Sequence, residues 1–135
     1  MTYQLEEPFF EEKGRITAQK EIGGDKTQMT FSSNGKFKGN IEVTNTGDVN
    51  VSRANKGTSA QGQGVVTTKD GSEKANYTFL QGAKTTEEGK QVLHGCAIWS
   101  TDSTGKLAFL DNMFSFVTTE IDETGNFSSN DRELK

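Results

Sequence analysis

Glycine-centred turn signals recur along the whole chain at intervals too short to hold long helices. They fall at Gly23-Gly24-Asp25, Asn34-Gly35, Thr46-Gly47-Asp48, Asn55-Lys56-Gly57, Asp70-Gly71, Glu88-Gly89, Thr104-Gly105 and Thr124-Gly125-Asn126. Asn-Gly and Asp-Gly are strong hairpin cues because both central residues of a type I′ turn need positive φ. The segments between them are of strand length and several alternate. Met29 and Phe31, Ile41 and Val43, Val49 and Val51, and Ala75, Tyr77 and Phe79 repeat with the period of two of a half-buried strand. Ile16, Ala18 and Ile22 also share a parity, with Lys20 interrupting. The lone Pro8 lies in the N-terminal tail, so every candidate strand keeps its ladder donors. A meander of this many hairpins tends to close, which removes its edges. The pattern therefore predicts an all-β fold, an antiparallel meander closed into a barrel of about eight strands. At most one short helical turn is expected, near 106–112, where the good helix formers of Lys106 to Asn112 suit one or two helical turns or equally a short strand ending in an Asp-Asn turn.

A length of 135 residues predicts one domain, 1–135. Only 30% of residues are hydrophobic, so the core must be thin; nine Phe with Trp99, Tyr3 and Tyr77 supply large apolar area per residue. The net charge is -4 and Lys and Arg are scattered singly. Nucleic acid and an anionic membrane both want clustered positive charge, so neither is expected as a partner. No run approaches the roughly 20 apolar residues of a spanning helix, and Met1 to Lys13 lacks a charged-then-apolar leader pattern, so a cytoplasmic location is expected. Cys96 is the only cysteine, which rules out an intrachain disulfide.

Two segments are apolar on both faces. Val92 to Trp99 sets Val92, His94, Cys96 and Ile98 against Leu93, Gly95, Ala97 and Trp99, and Met113 to Val117 sets Met113, Ser115 and Val117 against Phe114 and Phe116. A barrel strand facing water should be polar outside, so a cover is expected: the N-terminal tail with Phe9 and Phe10, the 106–112 segment, or another subunit.

No residue set declares a reaction. His94 and Cys96 share a strand face, but at i and i+2 their Cα atoms stand roughly 6.5 to 7 Å apart, too far for easy direct hydrogen bonding, so both read as packing. One His and one Cys cannot supply the three or four ligands of a zinc site, and no cofactor is expected. Gly62-Gln63-Gly64 runs into β-branched residues without the helix and third glycine of a dinucleotide loop. Those glycines better suit a crowded, coiled part of a barrel. Asp111-Asn112 offers either a lumen acid or a turn, and both residue types favour turns. Tyr77, Phe79 and Trp99 are the ligand-binding candidates: placed inward, they give a lumen aromatic walls with polar tips and leave His94, Cys96 and Ile98 outside. A one-residue slip would reverse that assignment.

The run Ser103-Thr104-Gly105-Lys106-Leu107-Ala108-Phe109-Leu110, followed by an apolar strand through Thr119 and then Asp122 to Asn126, resembles the T-G-K-(apolar) passage in the last third of allene-oxide-cyclase-like and dirigent-like barrels. It is more similar still to small uncharacterised prokaryotic proteins of that kind. The resemblance implies an eight-stranded barrel, a lumen able to hold a small apolar molecule, and frequent homo-oligomers. No motif aligns the plant cyclases' catalytic residues with this chain, and fold does not entail function. Two readings remain open. In one the barrel binds a small, largely apolar molecule, with or without isomerase-like or cyclase-like activity; in the other it is a non-catalytic barrel with a filled core that acts in assembly or partner binding. An open cavity with a polar base favours the first and a solid core the second.

Overall fold

The computed structural model describes residues 5–54, 57–85 and 88–134. Eight strands succeed one another: β1 (Phe10–Gly23), β2 (Lys26–Phe37), β3 (Ile41–Ala54), β4 (Gly57–Thr68), β5 (Lys74–Thr85), β6 (Gln91–Ser100), β7 (Phe114–Ile121) and β8 (Asn126–Arg132). Each pairs antiparallel with the next, and β1 pairs with β8 to close the barrel. A single 3-10 turn, Ala108–Leu110, lies between β6 and β7, within the stretch where the sequence predicts a helical turn.

Two of the expected turns are not turns. Asn34-Gly35 lies inside β2 and Thr46-Gly47-Asp48 inside β3, so those strands are longer than the glycine pattern suggests. The β2–β3 turn is made instead at Lys38-Gly39, with φ of 52° and 78°. Both central residues of this turn, closed by the Asn40 amide donating to the Phe37 carbonyl at 3.1 Å, thus have positive φ. Asn55 and Lys56 of another signal lie outside the described residues, as does Glu87.

Glycines inside the strands serve the lumen. Gly47 stands opposite Phe31, Gly62 opposite Phe79 and Gly64 opposite Tyr77, each pair directly across a ladder. Each aromatic ring lies where the glycine's Cβ would be; a Cβ on Gly64 would overlap the Tyr77 hydroxyl and ring. The missing side chains let a strongly coiled sheet lay three aromatics flat against its inner wall. A bulge between Ile16 and Ala18 corrects another expectation. It shifts the parity of β1, so Ile16 faces inward while Ile22 is 46% exposed.

The two ends of the barrel differ. At the end holding the start of β1, the close of β8 and the β6–β7 loop, Phe10, Phe37, Trp99, Leu107 and Leu110 are fully buried. Phe10 stacks on Phe37 with centroids 4.3 Å apart, and Trp99 meets both rings edge-on. Glu73 fastens the loop to the barrel, accepting hydrogen bonds from the Leu107 amide at 3.0 Å and from the Ser103 hydroxyl. The tail and the 106–112 segment thus plug one end and do not cover the outer face of β6 and β7. Among the described residues that outer face is open: Leu80, Ile98 and Phe114 are about half exposed, and His94 points outward with them. No helix among the described residues is long and apolar enough to cross a membrane.

Gly64→Ala is expected to destabilise the protein by about 1–3 kcal/mol through overpacking against Tyr77. Gly82→Ala, whose Cβ would meet nothing within 4 Å, should change stability little. Urea unfolding of the two variants checks this; equal effects would remove the packing role given to Gly64.

Candidate functional site

Above the plug, a cavity of about 520 Å³ runs to the opposite end of the barrel. Its walls are apolar side chains that the strand alternation turns inward, among them Ile16, Met29, Phe31, Val49, Phe79 and Phe127. The mouth lies at the end of the β1–β2 and β7–β8 turns and carries Gln19, Arg53, Thr58, Asp122 and Glu123.

The floor is polar. Glu12 of β1 is buried, and its Oε1 accepts hydrogen bonds from the Ser33 hydroxyl and from Asn45 Nδ2 at 2.8 Å. Asn45, fully buried on β3, also faces the Tyr77 hydroxyl: its Nδ2 donates at 2.8 Å and its Oδ1 accepts the phenolic proton at 3.0 Å. A second chain runs beside it, where Trp99 Nε1 donates to Ser115 Oγ at 3.0 Å and Ser115 donates to Asp131 Oδ2 at 2.6 Å. One layer nearer the mouth, Gln81 Nε2 donates to Thr119 Oγ1 at 3.1 Å, and Thr119 and Ser129 share a hydrogen bond. Among the described residues no buried side-chain polar atom lacks a partner. Glu12, Asp131, Tyr77 and Trp99 all line the cavity.

Burial raises both carboxyl pKa values, because a charged carboxylate loses its hydration there. Glu12 moves upward, opposed by the bonds from Ser33 and Asn45. Asp131 is pushed up to about 7, with Glu12 adding to the rise and Ser115 opposing it. The Tyr77 phenol is pushed well above its ordinary value by burial and by the nearby Glu12 charge. Near neutral pH the floor thus holds two carboxyls and a neutral phenol, a set able to accept, hold or return a proton.

The structure turns all three expected site residues inward. Tyr77 and Phe79 line the cavity side by side with ring centroids 5.9 Å apart, and Tyr77 packs on Trp99 at 4.6 Å. Trp99 is 1% exposed and belongs as much to the plug as to the lumen. His94 and Cys96 lie on the outer face, as the inward placement of Trp99 requires; His94 is exposed and Cys96 half-buried, so the packing expected of them is absent at His94 and partial at Cys96. Asp111 is an exposed turn residue accepting from the Thr101 amide, and Asn112 has a φ of 56°, so the turn reading of that pair holds and the lumen acid reading does not. Among the described residues no group of His, Cys, Asp or Glu could hold a metal ion.

Sequence reasoning missed Glu12, Asn45 and Asp131. Glu12 sits in Glu11-Glu12-Lys13 and Asp131 in Asn130-Asp131-Arg132, where flanking charges make each look solvated. The available signal was parity: Glu12 shares a face with Phe10 and Ile16.

No family model matches the chain, and no curated protein matches it. The crystal structure of a conserved protein of unknown function from Rhodopseudomonas palustris superposes with a TM-score of 0.80 over 100% of both chains at 13% sequence identity. At that identity the likeness shows the eight-stranded antiparallel barrel and nothing finer.

The raised carboxyls set the sign of a pH effect. A carboxyl that holds its proton more tightly folded than unfolded contributes stability in full below about pH 4 and loses it as pH rises through about 7. Asp70 and Asp122 shift oppositely, held low by hydrogen bonds from Ser72 and Thr124, but their effect falls below that window. Stability is therefore expected to drop by on the order of 1–3 kcal/mol between pH 5 and pH 8. Asp131→Asn should flatten the profile, and denaturant melts across pH check it; a wild-type profile rising through this range would contradict the burial of both acids.

Proposed function

We propose that this protein is a cytoplasmic small-molecule-binding barrel whose ligand is largely apolar with one polar end. The observation that carries the reading is an open cavity of about 520 Å³ with apolar walls and a buried polar floor. The volume falls in the range of sites for small organic ligands, and convergent polar groups at the base of an apolar pocket are how such sites fix orientation. Tyr77 and Phe79 supply wall, Trp99 supplies floor, and Glu12 and Asp131 meet the polar end, with Asn45 holding Glu12 from behind. The floor also has the parts for proton transfer, a carboxyl near neutrality beside a second one, which supports isomerase-like or cyclase-like chemistry as the activity to test.

The neutral dye Nile red is expected to enter the lumen and to change the emission of Trp99, the only tryptophan. Ala60, 3% exposed and part of the lining, is the place to fill the cavity: Ala60→Phe should abolish dye binding while His94→Ala leaves it intact. Dye binding that survives Ala60→Phe would move the site elsewhere.

Assembly is a second reading favoured by a separate observation, the uncovered strip of Leu80, Cys96, Ile98, Phe114 and Phe116. Across the ladders Leu80 faces Cys96, Cys96 faces Phe116 and Ile98 faces Phe114, so the strip is contiguous. Its outward neighbours Asn76, Thr78 and Thr118 are uncharged, and one charge, Arg132, stands opposite Phe116 at the strip's margin. We propose that a second copy covers it, because two such faces meet apolar strip to apolar strip with the bordering cation at the margin. Light scattering should show self-association at micromolar concentration, and Ile98→Lys should weaken it at least about ten-fold. A wild-type monomer at that concentration would refute this reading.

A further inference from the structure

Resting on the binding reading above, a census of donors and acceptors on the floor narrows the ligand's polar end. The protein's own hydrogens there are committed. Both Asn45 Nδ2 hydrogens go to Glu12 and Tyr77, the Tyr77 proton to Asn45, the Ser33 proton to Glu12, the Ser115 proton to Asp131 and the Trp99 N–H to Ser115. What remains is acceptor capacity, since a carboxylate offers about four lone-pair sites. An entering carboxylate or carbonyl thus finds no spare donor on an ionised floor and meets one only a layer nearer the mouth, where Gln81 Nε2 gives one of its two hydrogens to Thr119, whereas an entering donor finds two strong acceptors on the floor itself. Charge points the same way. Among the described lining residues the acids are Glu12, Asp131, Asp122 and Glu123, and the single cation, Arg53, is at the mouth, donating to Thr27 at 3.0 Å.

We propose that the lumen takes a small apolar molecule ending in a protonated amine, which pairs with the Glu12 and Asp131 carboxylates. An ammonium group carries three donors and brings the positive charge that the floor lacks. Its entry displaces the proton that burial leaves on a floor carboxyl; the proton goes to solvent and the ammonium takes its place. The groups facing the pair are Ser33 of β2, Asn45 of β3, Tyr77 of β5, Trp99 of β6 and Ser115 of β7. Only Tyr77 among these titrates, and it stays neutral through the pH range concerned. Amine affinity therefore rises with pH through about 7, as Asp131 ionises.

The test is displacement of Nile red from the wild-type protein by octylamine, octanol and octanoate, which share one chain length and differ in the end group. At about pH 8 octylamine should compete at least roughly ten-fold better than octanoate, the factor that one charge-assisted hydrogen bond supplies, with octanol between them. Between about pH 6 and pH 8 octylamine should strengthen, octanoate weaken and octanol stay level. Glu12→Gln and Asp131→Asn should each reduce the amine preference and flatten its pH dependence. Should either variant fail to fold, the wild-type pH series still decides. Octanoate competing as well as octylamine overturns the assignment, as does octylamine failing to displace bound dye. A preference unchanged in both folded variants also overturns it, because the attraction would then come from the acidic exterior. If neither the dye nor any of the three compounds enters the lumen, the binding reading itself falls.

Discussion

Pairing of β1 with β8 is the interaction on which the rest of the molecule depends. It places Phe10 opposite Asp131 and Glu12 opposite Ser129, residues that lie at the two ends of the chain. Without that ladder the sheet would have two long exposed edges, and the acids of the floor would face water from opposite margins of a curved sheet. With it, both carboxyls share one interior, the Glu12 charge adds to the rise of the Asp131 pKa, and the polar chains through Asn45 and Ser115 have something to satisfy.

Burying two carboxyls in a thin core is costly, and the structure meets the cost locally. Every buried polar side-chain atom among the described residues is partnered, so the floor is a connected network with no orphaned groups. The aromatic plug beneath it excludes water from one side. Phe9, Phe10, Phe37, Trp99 and Phe109 form a continuous set of stacked and edge-on contacts, with Lys38 seated 3.9 Å over the Phe109 ring. Glu73, anchoring the loop that supplies Leu107 and Leu110, therefore contributes to the site from outside the lumen.

The glycines explain why the barrel is hollow. An eight-stranded barrel has an interior just wide enough to be filled by side chains or to hold one small ligand. Here Gly47, Gly62 and Gly64 turn inward, and the rings of Phe31, Phe79 and Tyr77 lie against the wall they vacate. Rings held flat to the wall leave the axis open, and small residues such as Ala60 and Ala97 keep it so. The same coiling explains the longer strands, because an inward glycine is a bend within a strand as readily as a turn between two.

Strand period, turn chemistry and the absence of helical spacing are local properties, each legible within a few residues of chain. Through them the sequence by itself determined an all-β antiparallel meander with a tendency to close, and that Tyr77 shares a strand face with Phe79 and Trp99 with Leu93 and Ala97; that these faces turn inward was settled by register. Tertiary structure alone decided which glycines turn and which line the lumen, where the bulge near Ile16 reverses parity, and that Phe9, Phe10 and the 106–112 segment plug an end. It alone brought Glu12 to Asp131. Those outcomes depend on pairings between residues far apart in sequence; a glutamate flanked by Glu11 and Lys13 reads as solvated until a strand more than a hundred residues away closes the wall that buries it.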